Sequence, residues 1–157
     1  MKCIDVSKFN GIKQRSDDYC TFACIEMCLK YLNEQKITQE EIRINLGSYF
    51  RKNIPMFQIY EENFTKIYPN FKIIRFNDSN VENLIQFIKE NINNRYPVIQ
   101  SRFTHQKLSH AVIIICYDNV KFKYYDPGPN KVEFVQFNDY VDFLGTHRDT
   151  LIIKRII

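Results

Sequence analysis

Gln14-Arg15-Ser16-Asp17-Asp18-Tyr19-Cys20-Thr21-Phe22-Ala23-Cys24-Ile25-Glu26-Met27-Cys28 is a polar approach running into a helix. From Cys20 to about Asn33, Ala23, Cys24, Met27, Cys28 and Tyr31 recur at helical spacing. The cluster Ser16-Asp17-Asp18 closes an irregular leader over residues 1–18 and supplies helix-start chemistry. Cys20 therefore stands in the opening turn, where the helix dipole favours a thiolate, the reactive form of the side chain. A cysteine is most often a packed core thiol, and Cys24 and Cys28, on the apolar stripe, fit that description. Cys20 precedes the stripe. Gln14, six residues earlier, can loop back beside the sulfur and donate to a developing oxyanion. Taken alone a glutamine is a solvated residue, and only the spacing singles this one out. Cys20, Cys24 and Cys28 have no second ligand pair elsewhere, so no metal site is expected.

Downstream, His110 begins the apolar run Ala111-Val112-Ile113-Ile114-Ile115-Cys116, which places its ring at the start of a buried strand. His105 falls in the polar segment Thr104–Ser109, read as a loop at the rim, and His147 falls in Thr146–Asp149, read as solvated. Asp118-Asn119 is turn chemistry between two β runs and implies a hairpin. With a loop of Tyr117–Asn119 and a left-handed Asn119, Cys116 pairs with Val120, Ile114 with Phe122, Val112 with Tyr124 and His110 with Asp126. That register places Val120, Phe122, Tyr124 and Asp126 on one face and turns Lys121 and Lys123 away. A carboxylate at that spacing can hold the imidazole. Asp126 has a second reading, as the turn starter of Asp126-Pro127-Gly128-Pro129.

Outward from these segments, Thr38-Gln39-Glu40-Glu41 is a capping box for a short helix ending near Gly47. Residues 48–68 are aromatic-rich and ambiguous, with a helix entered at Pro55 as one reading and a role in shaping the cleft expected. Phe71–Phe76 reads as a strand, and Ser79-Asn80-Val81-Glu82 caps a helix through about Ile92. Strands are expected over 97–103, 110–117, 120–126, 131–137 and 150–156, with a helical turn at Tyr140–Leu144. Helices first and an antiparallel sheet after is an α+β layout, in one domain over 1–157.

The 157 residues are 45% hydrophobic and 25% charged, enough for a core without metal or disulfides. A net charge of +4, scattered without a basic run, gives nucleic-acid or membrane binding little support. No apolar stretch is long enough to span a bilayer, and the N-terminus lacks a signal peptide. Five cysteines, three on one helical face, do not read as a disulfide framework, and a reducing, cytoplasmic setting is expected.

These motifs resemble the papain-like cysteine peptidases, and within them the C39 peptidases, which process leader peptides, usually after Gly-Gly. Gln14, Asp18, Cys20, Ala23 and Cys24 follow the family's opening outline. His110-Ala111-Val112-Ile113 matches its histidine strand, and Asp126-Pro127 its Asp-Pro step. Tyr19 departs from an aspartate frequent in the family, and Thr21 from a frequent glycine. The resemblance implies a helical lobe carrying the nucleophile helix, packed on a C-terminal antiparallel sheet. It also implies Cys20 as nucleophile, His110 as general base and then acid, Asp126 as orienter, and Gln14 with the Cys20 N–H as oxyanion hole. It would be a stand-alone version, without the membrane and ATPase parts of export proteins that carry such domains.

The expected function is thus a cysteine peptidase acting on a peptide or protein through a thioester, with no cofactor. Two rivals stand beside it: an acyltransferase that delivers the thioester to an amine or thiol, and an inactive papain-fold binding module whose aromatic residues line a groove. Nucleic-acid binding by Lys121-Phe122-Lys123-Tyr124-Tyr125 is a poor reading, because strand alternation explains that segment. Substrate identity and oligomeric state are not legible.

Overall fold

The computed structural model describes residues 1–34, 36–103 and 109–156; the loop expected at His105 lies outside them. Chain order is β1 (Lys2–Cys3), α1 (Cys20–Tyr31), α2 (Gln39–Gly47), α3 (Met56–Ile67), β2 (Phe71–Phe76), α4 (Val81–Asn93), β3 (Val98–Phe103), β4 (Ser109–Tyr117), β5 (Lys121–Asp126), β6 (Lys131–Gln136), α5 (Tyr140–Leu144) and β7 (Thr150–Arg155). The ambiguous stretch 48–68 does enter a helix at Pro55. The cap of α4 is Asn80, whose side chain accepts the Glu82 N–H at 2.9 Å, one residue after the expected Ser79.

The strands form one antiparallel sheet in the order β2-β7-β3-β4-β5-β6. β1 pairs with the far end of β4, Cys3 opposite Cys116, on the side that β3 leaves beyond Ile114. Side-chain alternation splits the core in two. Ile99, Ala111, Ile113, Leu151 and Ile153 face the lobe of α1, α2 and α3, while Val98, Val112, Ile114 and Ile152 face α4 and α5. Each of these Val, Leu and Ile side chains, fully buried, contributes roughly 1.5–3 kcal/mol. Helix α1 is apolar nearly all round because it is enclosed between the sheet and α2. It lies against β4, which brings the first residue of α1 to the first residues of that strand.

Two expectations are corrected here. The leader is not wholly irregular: β1 joins the sheet, and Cys3 is bonded to Cys116, so the cysteine pattern does include one disulfide. The β4–β5 register also differs. Ile114 pairs with Tyr124 and Cys116 with Lys123, so Ile115 is the extra residue of a β-bulge. The turn is organised by Asp118, whose carboxylate accepts the Val120 and Lys121 N–H groups at 2.9 Å, and Asn119 is not left-handed. Continuing the pairing from Ile113 opposite Tyr125, Asp126 stands opposite Val112 rather than His110.

Candidate active site

The nucleophile helix begins without a side-chain cap. Tyr19 is the N-cap residue and makes no capping bond, because Ser16 donates to Asp18 and Asp18 pairs with Arg43 of α2 instead. Arg43 also lies 5.3 Å above the Tyr19 ring. The expected capping by Ser16-Asp17-Asp18 is therefore absent, and the first-turn N–H groups stay available to an anion.

Cys20 is buried and free; its sulfur lies 4.0 Å from Thr21 Oγ1, and His110 and the Ala111 N–H are near enough to act on its charge. Burial pushes its thiol up, but the His110 bond and charge together with the Ala111 N–H outweigh that, and the thiol ends below its ordinary value. His110 Nε2 lies 2.6 Å from Asp126 Oδ1. Burial pulls His110 down, yet the Asp126 hydrogen bond, then the Cys20 bond and both charges, lift it to about 9. His110 and Asp126 are diagonal neighbours across the two strands, a separation a ring and a carboxylate can close. Asp126 Oδ1 also accepts the Gly128 N–H at 3.0 Å, so the orienter and turn-starter readings hold together.

Gln14 arrives from the other side. Its backbone N–H donates to the Pro127 carbonyl at 3.0 Å, and its Nε2 donates to the Ser16 carbonyl at 3.1 Å, leaving one amide N–H without a partner among the described residues. Gly128 marks where the pieces converge. A Cβ added there would lie 3.3 Å from Asp126 Oδ1, 3.6 Å from His110 Cε1 and 3.7 Å from Gln14 Oε1. The structure thus brings Gln14, Cys20, His110 and Asp126 into one corner. A thiolate beside a protonated imidazole, at a helix start with unpaired N–H groups, can attack a carbonyl and stabilise the resulting anion. Cys24 and Cys28 are fully enclosed, and burial holds both thiols well above their ordinary value.

The site opens on a cleft of about 880 Å³. Phe50, Met56, Phe57 and Tyr60 form one wall, so residues 48–68 do shape the cleft. His147 lies on another wall. It is half-buried, with Nδ1 2.7 Å from Ser101 Oγ and its ring 5.3 Å from that of Phe103, which corrects the solvated reading. Burial, against the opposing charge of Asp149, keeps it below the usual imidazole value. Its strand partner and the spacing role of Gly128 had no local signal in sequence. Among the described residues no group of three or more His, Cys, Asp or Glu side chains is arranged to hold a metal ion.

Comparison with known families supplies the wider setting: the family described as Peptidase_C39 like matches residues 6–144. The chain belongs to the Peptidase_C39 like family. In structure it is similar to a double glycine motif protease from an AMS/PCAT transporter in complex with the leader peptide, with a TM-score of 0.64, 14% identity and 99% of each chain covered. The peptidase domain of Streptococcus ComA, a bi-functional ABC transporter involved in a quorum sensing pathway, gives 0.61 at 15%, covering 97% of this chain and 98% of that one. Pseudomonas avirulence protein AvrPphB gives 0.50 at 12%, covering 96% and 100%. No curated protein matches the sequence. These likenesses are of fold, the α+β papain-like arrangement of helical lobe on antiparallel sheet. No helix among the described residues is long and apolar enough to cross a membrane.

Proposed function

We propose that this chain, acting as a single domain over residues 1–157, is a cysteine peptidase. Cys20 is the nucleophile, His110 the general base and then acid, Asp126 the group that orients the imidazole, and Gln14 with the Cys20 N–H the oxyanion hole. The observation that carries the reading is the convergence of an uncapped helix start bearing Cys20, the His110 ring whose nearness lowers that thiol, and the Asp126 carboxylate 2.6 Å from that ring. The sulfur bonds the carbonyl carbon, the carbonyl electrons move to oxygen, and collapse expels the amine after His110 hands it a proton. Water, deprotonated by His110, then adds to the thioester carbon; the C–S bond breaks, the carboxylic acid leaves, and the Cys20 thiolate and protonated His110 are restored.

The substrate proposed is a peptide cleaved after Gly-Gly, by likeness to the double glycine motif protease. The apolar α3 wall of the cleft supports an extended apolar segment on one side of that bond. A cytoplasmic setting is part of the same proposal: Cys20 must remain reduced there, while the Cys3–Cys116 disulfide weighs against a strongly reducing compartment. The test is site-resolved alkylation near pH 6 followed by digestion of Gly-Gly-containing peptides, with and without amine acceptors. Fast alkylation confined to Cys20 and slowed by His110→Ala, with hydrolysis at Gly-Gly, is the expected result. Exclusive transfer to the amine would make the protein an acyltransferase. A Cys20 no faster than an ordinary thiol would leave only a binding role.

A further inference from the structure

Gln39 is the first residue of α2 and is completely buried. Its Oε1 accepts the Arg15 N–H at 3.0 Å and its Nε2 donates to the Lys13 carbonyl at 3.1 Å. One amide thus holds the backbone on both sides of Gln14. The helix does not need this side chain for its own start, because Thr38 caps it by accepting the Glu41 N–H. Gln39 is anchored in turn by Glu26, whose carboxylate accepts the Gln39 N–H at 2.7 Å and is matched by Lys30 at 2.7 Å. Glu26 lies on α1, the helix that begins with Cys20.

Gln14 itself is tied at its backbone N–H to the Pro127 carbonyl, which leaves its side chain lightly held. Among the described residues its buried Oε1 has no hydrogen-bond partner, and its amide makes a single bond, to Ser16. Its direction therefore depends on the backbone path through residues 13–15.

We propose that Gln39 is a positioning residue for the oxyanion site, fixing the Lys13–Arg15 backbone so that the remaining amide N–H of Gln14 points where the tetrahedral oxygen forms. The inference rests on the peptidase reading above. A buried amide clamped to both flanks of a donor is the support that such a site requires, and a misplacement of about 1 Å costs roughly 100-fold in rate.

Two reactions of Cys20 separate positioning from general support. Acylation by a Gly-Gly p-nitrophenyl ester joins sulfur to a carbonyl carbon, pushes the π electrons onto oxygen and then expels p-nitrophenolate, so it needs Gln14. Alkylation by iodoacetamide joins sulfur to a saturated carbon and expels iodide, so it needs only the thiolate. Single-turnover rates of both are measured by mass spectrometry on the full chain, in wild type, Gln14→Ala, Gln39→Met and the double variant. Gln39→Met keeps the volume and removes the two bonds; Gln39→Glu, which keeps the acceptor for Arg15, serves if the Met variant does not fold. The expected result is acylation slowed about 10- to 100-fold by Gln39→Met, alkylation within about twofold of wild type, and a double variant no slower than Gln14→Ala. Acylation at the wild-type rate, alkylation falling in step with acylation, or multiplying losses in the double variant would each overturn the proposal. A wild type that alkylates rapidly and never acylates removes the peptidase reading itself, before any variant is compared.

Discussion

His110 keeps its proton because two anions share it. Its folded value of about 9 lies above the ordinary imidazole value of 6.5, so folding favours the charged ring. That stabilisation is fully present below the unfolded value and is lost as pH rises through about 9. Cys20 has the opposite sign: its lowered thiol favours the anion, and that contribution is lost as pH falls through the folded value. Cys20 alkylation should therefore rise with the thiolate at a lower pH than for an ordinary thiol, while peptide cleavage falls as pH rises through about 9. Asp126→Asn removes the largest upward influence on His110, so the alkaline limb of the kcat/KM profile should move to lower pH and the plateau drop by about 100-fold. A profile unchanged by Asp126→Asn would show that the carboxylate serves only its turn. The residue scale was also where sequence was most informative. Cys20 and His110 stood out because each opens a periodic run, whereas Gln39 gave no sign, since a clamp on another segment's backbone leaves no local pattern.

At the scale of elements, what was legible followed from period and punctuation. The helices over α1, α2 and α4 and the strands β2 to β7 were readable from apolar spacing and from Thr38 as a cap, whereas the cap of α4 fell on Asn80 rather than Ser79 and β1 gave no signal. The register of β4 on β5 was not, because the bulge at Ile115 inserts a residue into an uninterrupted apolar run whose side chains do not announce which one is extra. The capping of α1 was misread for a different reason: Ser16 and Asp18 satisfy each other and Arg43 rather than the helix. The leader that delivers Gln14 to the site depends on a close approach at Gly11, where an added Cβ would fall 2.4 Å from the Tyr125 ring. Gly11→Ala must displace the leader or the ring, and a loss of about 1–3 kcal/mol is expected. Thermal denaturation checks the stability, and ester acylation should fall more than alkylation because Gln14 lies on the displaced segment.

For the whole molecule, a sheet sandwiched between the α1–α3 lobe and the α4–α5 layer lets one strand, β4, serve both cores and the site at once. The disulfide fastens the other end of that strand to β1 across a sequence separation of 113 residues. Closing so long a loop restricts the unfolded chain, so Cys3→Ser should lower stability by roughly 2–4 kcal/mol in denaturant titration. The rate of Cys20 alkylation should not change, since the bond lies at the opposite end of β4 from His110. An equal midpoint for the variant and wild type would show that the tie adds nothing. The distance along the chain between Cys20 and its partners has a temporal consequence. A ribosome adding about 5–20 residues per second takes roughly 5–20 s to travel from Cys20 to Asp126. Until His110 and then Asp126 have been added, the sulfur lacks first its imidazole and then the carboxylate behind it and is an ordinary thiol. The nascent polypeptide thus carries no working nucleophile until Asp126 has been added and the two segments have met.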